Sequence, residues 1–420
     1  MTTTAVRRED PPAAPGTPTV RSYLRTTLSR IRAGDVGGLP AVLGLVVLGT
    51  VFSIMRPSFL SAGNFANLFT QGAAVTLIAM GLVFVLLVGE IDLSAGFASG
   101  VCAAVLANVA TVLGYPWWIA VLAAIVTGAV IGTVLGVLVT KVGIPSFVVT
   151  LAGFLAFQGI VLMLMKEGRN ISVRDDVLLA IANRNLSPAL GWLLAAVAIT
   201  GFGAVQLLRH RNRVARGLVT DPIAVVAARI AGLAVLLGIA VFVLNLERSR
   251  TGLVVSLRGV PVVVPIMAAL LVLLTFVLQR TSYGRHIYAV GGNKEAARRA
   301  GIDVDRIRIS VFVVCSSMAA VGGIVAASRA NSVDPNTGGS NVLLYAVGAA
   351  VIGGTSLFGG KGRVLDAVLG GAVVAVIDNG MGLMGYNSAG VKYVVTGVVL
   401  LLAASVDAIS RRRSSTTGAR

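Results

Sequence analysis

Residues 71–114 read QGAAVTLIAMGLVFVLLVGEIDLSAGFASGVCAAVLANVATVLG, an apolar stretch interrupted once, at Gly89-Glu90-Ile91-Asp92-Leu93-Ser94-Ala95-Gly96. Each side of the interruption is long enough to cross a bilayer core of about 30 Å, which takes about 20 apolar residues in a helix. Carboxylates are costly near hydrocarbon, so Glu90 and Asp92 must face protein or water. The stretch therefore predicts two membrane helices joined by a break in the chain.

The polar residues of this break have three interpretations. Asp92 or Ser94 can cap the second helix by accepting hydrogen bonds from backbone amides that lipid could not satisfy. Alternatively, Glu90, Asp92 and Ser94 line the path of a transported solute or its gate. A paired-carboxylate acid–base site is the third interpretation, but no further catalytic partner stands nearby in the sequence.

The same composition continues outward over the whole chain. Its 420 residues are 56% hydrophobic and 12% charged, which is typical of membrane proteins and predicts an all-α polytopic fold. Gly128, Gly132 and Gly136 repeat along one helix face, which predicts close helix packing. About twelve windows have the length of a membrane helix: 39–55, 71–89, 94–114, 117–140, 145–165, 187–208, 223–246, 260–279, 310–329, 341–358, 364–385 and 390–408.

The basic residues indicate how the chain is oriented. Its formal charge is +18, but the cations lie between the apolar windows and at both ends, with no basic face carrying interleaved aromatics. Nucleic-acid binding is therefore not expected. Residues 1–38 are predicted to form a disordered basic cytoplasmic tail, residues 39–408 the transmembrane domain, and residues 409–420 a second cytoplasmic tail. The bias of Lys and Arg in the connections predicts that both termini are cytoplasmic.

A basic loop of residues 280–309 separates two of the apolar windows, and loops of this length are usually functional. It contains Gly292-Asn293-Lys294-Glu295-Ala296-Ala297-Arg298-Arg299-Ala300-Gly301. Asn293 can cap a short helix and Gly301 can end it in a left-handed conformation. This pattern predicts a helix of about two turns.

The predicted short helix has the features of a docking element. Glu295 and Arg299 stand four residues apart, a spacing that favours a surface ion pair. Ala296 and Ala300 place methyl groups on another side, small enough to enter a groove on a second protein.

Polar neutral residues also occur within the apolar windows. Each can bond to a helix backbone or line a path, and together they suggest a path for an uncharged, hydroxyl-rich solute. Ser146 and Thr150 share one helix face. The full set is Gln71, Thr76, Asn108, Ser146, Thr150, Gln158, Tyr345 and Asn379.

Other chemistries are not indicated by the sequence. Cys102 and Cys315 both lie in apolar windows, where a lone cysteine behaves as a small hydrophobe, so no disulfide, metal site or cofactor is expected. The segment from Gly354 to Gly362 approaches a phosphate-binding loop. It has one residue too many before Lys361 and lacks the Ser or Thr after it. We therefore expect a chain that is not an enzyme and does not hydrolyse ATP.

The order Glu295-Ala296-Ala297, three residues, Gly301 looks like the cytoplasmic coupling motif of ABC importer permeases, which seats a short helix in a cleft of the ATPase subunit. Four stretches resemble the ribose, xylose and galactoside branch of these permeases: 89–96, 144–151, 284–293 and 351–360. Ribose-type members have ten spans. The extra helix pair at about 187–246 resembles the longer xylose-type members. Glu90 departs from the pattern, because a glycine is usual there.

The resemblance implies a permease subunit in the cell (inner) membrane that imports a neutral monosaccharide, a pentose such as xylose. It further implies a homodimer with the path at its interface, an ATPase subunit that binds ATP and magnesium, and an extracytoplasmic sugar-binding protein. The coupling residues would be Gly292, Asn293, Glu295, Ala296, Ala297 and Gly301, and the path or gate candidates Glu90, Asp92, Ser94, Asn108, Ser146, Thr150 and Asn379.

The alternative is a secondary transporter of the major facilitator type, which also has about twelve spans and should show two similar halves.

Overall fold

The computed structural model describes residues 37–166, 168–218, 220–249, 256–385, 390–391 and 393–398, with single residues at positions 23, 25, 29, 401 and 405. Most of the predicted tail 1–38, all of the tail 409–420 and part of the window 390–408 lie outside these residues. Within the described part the fold is all-α, as the composition predicts, apart from one pair of two-residue strands.

The described residues form fourteen α-helices with assigned bounds. In chain order they are α1 Leu39–Met55, α2 Ala62–Leu87, α3 Ala95–Ala107, α4 Trp117–Val137, α5 Ser146–Leu164, α6 Asp176–Asn183, α7 Pro188–Ala215, α8 Ile223–Leu244, α9 Val263–Arg280, α10 Ser282–Gly292, α11 Lys294–Arg299, α12 Val304–Ala330, α13 Ser340–Ile352 and α14 Val364–Leu383. Single π-helical turns extend α3 over Asn108–Val112 and α4 over Leu138–Val142, and a 3₁₀ turn covers Pro57–Leu60.

Nine helices of the described residues are long and apolar enough to cross a membrane. The helix α2 is the centre of the bundle, since 78% of its apolar window is buried, and α12 and α14 pack against it. The predicted close packing of α4 is confirmed: a Cβ atom on Gly132 would lie 2.4 Å from the carbonyl oxygen of Phe312 in α12. Small residues therefore let these two backbones approach directly.

Two predicted windows differ from the helices found. The window 341–358 is wrong as a spanning helix, because α13 ends at Ile352 and Gly354 then turns the chain with φ +115°. The apolar sequence continues past Ile352, but the helix does not. Conversely, α2 begins at Ala62 rather than at residue 71, because the Ser61 hydroxyl accepts a hydrogen bond from the Asn64 amide (3.2 Å). Gln71 consequently lies inside a membrane helix.

The basic loop 280–309 contains more helix than the sequence predicts. In addition to α11, it holds α10 and the first turn of α12. Two caps account for this: Thr281 accepts from the Gly284 amide at 3.2 Å, and Asp303 accepts from the Arg306 amide at 3.0 Å. We call the end of the bundle at this loop the loop end and the opposite end the far end.

Short elements lie at the far end. Strand β1, Ile171–Ser172, pairs antiparallel with strand β2, Ser332–Val333, and α6 follows β1. The helices α7 and α8 pack on each other beside the main bundle and correspond to the extra pair at about 187–246. Only 17% of the apolar window of each is buried, so both remain largely open to their surroundings.

Candidate functional site

Three distant stretches of the chain form one junction at the loop end. The Gly360 amide donates to the carbonyl oxygen of Leu87 (2.8 Å), and the Tyr288 hydroxyl donates to that of Gly362 (2.8 Å). A Cβ atom on Gly291 would lie 1.8 Å from the Leu87 carbonyl oxygen, so only glycine fits there. The end of α2, the helix α10 and the glycine-rich turn after α13 are therefore packed backbone against backbone.

Glu90 joins the break after α2 to the basic loop. Its Oε1 atom accepts from Lys294 Nζ at 2.7 Å and from Arg308 Nη2 at 2.8 Å, and its side chain is only 6% exposed. Burial alone would raise the pKa of Glu90. Hydrogen bonds from Lys294 and Ser146, together with the charges of Arg308 and Lys294, lower the pKa by more than burial raises it. The pKa of Glu90 therefore lies below its ordinary value. Glu90 is thus a buried carboxylate that is held ionised by two cations.

Asp92 stabilises the turn before α3, but α3 has no side-chain cap of the kind that the sequence predicts. Its Oδ1 atom accepts from the Ser94 amide (2.8 Å) and the Ser94 hydroxyl (2.7 Å), whereas Ser94 itself makes no side-chain cap to α3. The thiol of Cys315 in α12 donates to Oδ2 at 3.5 Å. Glu90 and Asp92 have separate partners, which gives no support to the paired-carboxylate interpretation.

Ser146 and Thr150 hold the break against α5. The Ile91 amide donates to Ser146 Oγ (3.3 Å), and Thr150 Oγ1 lies 3.2 Å from the Ile91 carbonyl oxygen and 2.8 Å from that of Ser146. Both side chains are buried and bond to backbone. They fix the chain between α2 and α3 in place, next to Glu90.

The short helix α11 has the predicted geometry. Asn293 Oδ1 accepts from the Ala296 amide (2.9 Å), and Gly301 has φ +82°, so both end signals are confirmed. Ala297 is buried against the bundle, while Ala296 is exposed. The predicted ion pair of Glu295 with Arg299 is wrong. Glu295 pairs instead with Arg298 (2.9 Å), because residues three apart also face each other on a helix.

The remaining path candidates lie elsewhere. Asn108, in the π turn after α3, donates to the carbonyl oxygens of Ala104 (2.8 Å) and Leu164 (3.2 Å) toward the far end. Asn379, in α14, donates to Gln71 Oε1 at 3.2 Å. The structure therefore brings together Glu90, Asp92, Ser94, Ser146 and Thr150, but neither Asn108 nor Asn379 joins them.

Sequence reasoning missed the partners of the two carboxylates. Lys294 and Arg308 lie 204 and 218 positions from Glu90, and Cys315 lies 223 positions from Asp92. The carboxylate of Glu90 in place of the usual glycine was the one available signal, since a buried charge requires a counter-charge. Among the described residues no three His, Cys, Asp or Glu side chains form a group that could hold a metal ion.

The bundle consists of long apolar helices, and the short capped helix α11 is bound through Lys294 to the polar break at one end. These are the features of a multi-pass membrane transport permease. The chain belongs to the family described as branched-chain amino acid transport system / permease component, whose model matches residues 64–404. It is an integral protein of the cell membrane.

The relatives include the xylose transport system permease protein XylH of Escherichia coli, 37% identical over 358 residues, covering 85% of this chain and 88% of the relative. XylH of Haemophilus influenzae is 33% identical over 373 residues (89% and 96%). The ribose import permease protein RbsC of Escherichia coli is 30% identical over 367 residues (87% and 92%). The resemblance to ribose- and xylose-type ABC sugar permeases is thereby confirmed. No solved structure matches the chain at a significant level.

Proposed function

We propose that this chain is the transmembrane subunit of an ABC importer that moves a neutral pentose such as xylose into the cell, driven by a separate ATPase. The observation that carries the proposal is the link from α11 through Lys294 to Glu90 in the break between α2 and α3. The names of the xylose and ribose relatives support a pentose, whereas the family description names branched-chain amino acids.

In this proposal α11 is the helix that docks in the ATPase. Its Asn293 cap and the buried methyl group of Ala297 make it a rigid lever. Glu90 bonds both to Lys294, the first residue of α11, and to Arg308 in the first turns of α12, so displacement of α11 moves the break and α12 together. ATP-driven closure would then switch the bundle between two discrete packings as a rigid body.

The remaining parts of the proposal concern assembly and orientation. The loop end, with both basic tails, faces the cytoplasm, and an extracytoplasmic sugar-binding protein delivers the sugar to the far end. A second copy of the chain completes the path. The polar break forms the inner gate of that path, and ATP and magnesium bind only to the ATPase. The chain itself neither hydrolyses ATP nor binds a cofactor.

The test uses the permease reconstituted in vesicles with the ATPase and binding protein encoded beside it. We expect uptake of labelled xylose that requires ATP. We expect Glu295→Lys to abolish sugar uptake and sugar-stimulated ATP hydrolysis, because it reverses the exposed charge of α11.

The matched control is Asp305→Lys, which reverses a charge at the same end but outside α11 and should still transport. Uptake driven by a proton gradient without ATP would replace the proposal with a secondary transporter. Normal coupling in Glu295→Lys would remove the docking role of α11.

A further inference from the structure

A second polar network lies between α2 and α14, away from the loop end. Gln71 Nε2 donates to Asp378 Oδ2, and Asn379 Nδ2 donates to Gln71 Oε1 at 3.2 Å. Counted at 1.5 Å per residue, Gln71 lies about 24 Å from the loop end of α2 and Asp378 about 21 Å from the loop end of α14. Both counts place the network in the far half of the bundle, at membrane depth.

The exposure of this network is unusual for its depth. Gln71 and Asp378 are only half-buried in the single chain. A carboxylate facing lipid at the membrane centre costs about 2.5–3.5 kcal/mol, so this face must meet water or protein. Asn379 is 5% exposed, and its Oδ1 atom has no hydrogen-bond partner among the described residues. A buried amide oxygen without a partner is costly unless a ligand or water satisfies it.

Two further side chains extend the network. Tyr345 of α13 and Arg329 at the end of α12 both lie within electrostatic range of Asp378. The Arg329 guanidinium also donates to Asn67 Oδ1 at 3.4 Å. Four helices thus place a carboxylate, two amides, a phenol and a guanidinium in one region. Such a set offers both donors and acceptors, which is what the several hydroxyl groups of a sugar require.

We infer that Gln71, Asp378 and Asn379 form a hydroxyl-binding site for the sugar in the far half of the translocation path. The inference rests on the proposed function and names a site for it. The sugar hydroxyls donate to Asp378 and to Asn379 Oδ1. A branched-chain amino acid has its ammonium group as a donor but an apolar side chain where a sugar has further hydroxyl groups, so the site favours polyhydroxylated solutes.

The first arm of the test measures transport selectivity in the assembled importer. Asp378→Asn and Gln71→Leu should each lower xylose uptake at limiting sugar about tenfold, the equivalent of one hydrogen bond to a charged group. Both should also change the ratio of xylose uptake to uptake of its deoxy analogues, which a general loss of folding would leave unchanged. Thr70→Val, at the residue that precedes Gln71 in α2, is the matched control and should keep the wild-type ratio.

The second arm measures access of water. The two native cysteines are buried, so wild-type labelling by a charged thiol reagent should be low. The cysteine of Asp378→Cys should react with this reagent, and xylose added with the binding protein should protect it from labelling. Leu236 in the extra helix pair is 66% exposed, and Leu236→Cys should not be labelled because this position faces lipid.

The two proposals fail in different ways. If the wild-type importer fails to import xylose with ATP, the proposed function falls. If it imports xylose while both substitutions at the network keep the wild-type ratio, or if Asp378→Cys is unreactive or unprotected, the hydroxyl-binding site is overturned and the proposed function stands.

Discussion

Replacing Glu90 by glutamine preserves the shape of the side chain and removes its charge. In the native structure this carboxylate bonds to Lys294, whose side chain is 43% exposed, and to Arg308, whose side chain is 19% exposed. The substitution therefore tests whether the ion pairs of Glu90 connect α11 to the break and to α12.

The expected cost follows from the exposure of each partner. The Arg308 bond is mostly shielded from water, so it contributes about 1.5–3 kcal/mol as a hydrogen bond between charged groups. The Lys294 bond is discounted to about 0–1 kcal/mol, because solvent screens a partner that is nearly half exposed. The glutamine oxygen still accepts a hydrogen bond, so we expect a net loss of about 1–3 kcal/mol. A coupling free energy of that size corresponds to a factor of about 5–150.

The assay has two readouts, thermal denaturation of the purified permease and the amount of sugar imported per ATP hydrolysed in the assembled importer. Asp305→Asn is the matched control, because it breaks the more exposed Lys141–Asp305 pair (3.0 Å) at the same end and should cost about 0–1 kcal/mol. If Glu90→Gln proved as stable as this control and imported as much sugar per ATP as wild type, the ion pairs of Glu90 would not connect α11 to the break and to α12.

Three further predictions concern pH and backbone geometry. The folded-state pKa of Glu90 is lowered, so the stability advantage of wild type over Glu90→Gln should be full above the ordinary value of 4.5 and shrink as pH falls through the folded pKa; an advantage independent of pH would contradict this. Gly301→Val forces a branched residue into φ +82° at about 1–2 kcal/mol and should uncouple transport. Gly143→Val, with the same φ and equally open surroundings, should cost similar stability but keep coupling, as uptake per ATP will show. Gly291→Ala should destabilise by about 3 kcal/mol in thermal denaturation, because its Cβ would collide with the Leu87 carbonyl oxygen, whereas Gly292→Ala has open space and should match wild type.

Local signals in the sequence predicted the helices well where a local rule governs the backbone. Asn293 and Gly301 bound α11 as predicted, since a cap and a left-handed glycine act within a few residues of themselves. The helix α10 was missed because its three glycines disfavour a helix in isolation, and packing against α9 and Leu87 overrides that preference. The predicted window 341–358 was longer than α13 because a hydropathy average does not detect the turn at Gly354.

The candidate site was predictable only in part. The polar residues of the break between Gly89 and Gly96 predicted a polar centre, because carboxylates in an apolar stretch need partners. Which partners they have could not be read from the chain. The sequence also offered Asn108 and Asn379 as members of the same path as Ser146, and the structure places them in three separate regions.

Hydropathy and short-range patterns in the chain are enough to predict that it resides in a membrane, that it is helical, and that it presents a short capped helix at one end. These properties depend on hydropathy and on hydrogen bonds between near neighbours. The contacts of Glu90 with Lys294 and Arg308, and of Gln71 with Asp378, depend instead on how the helices pack. A buried charge or amide is satisfied by whichever helix packs beside it, and that neighbour is fixed by the packing of the whole bundle.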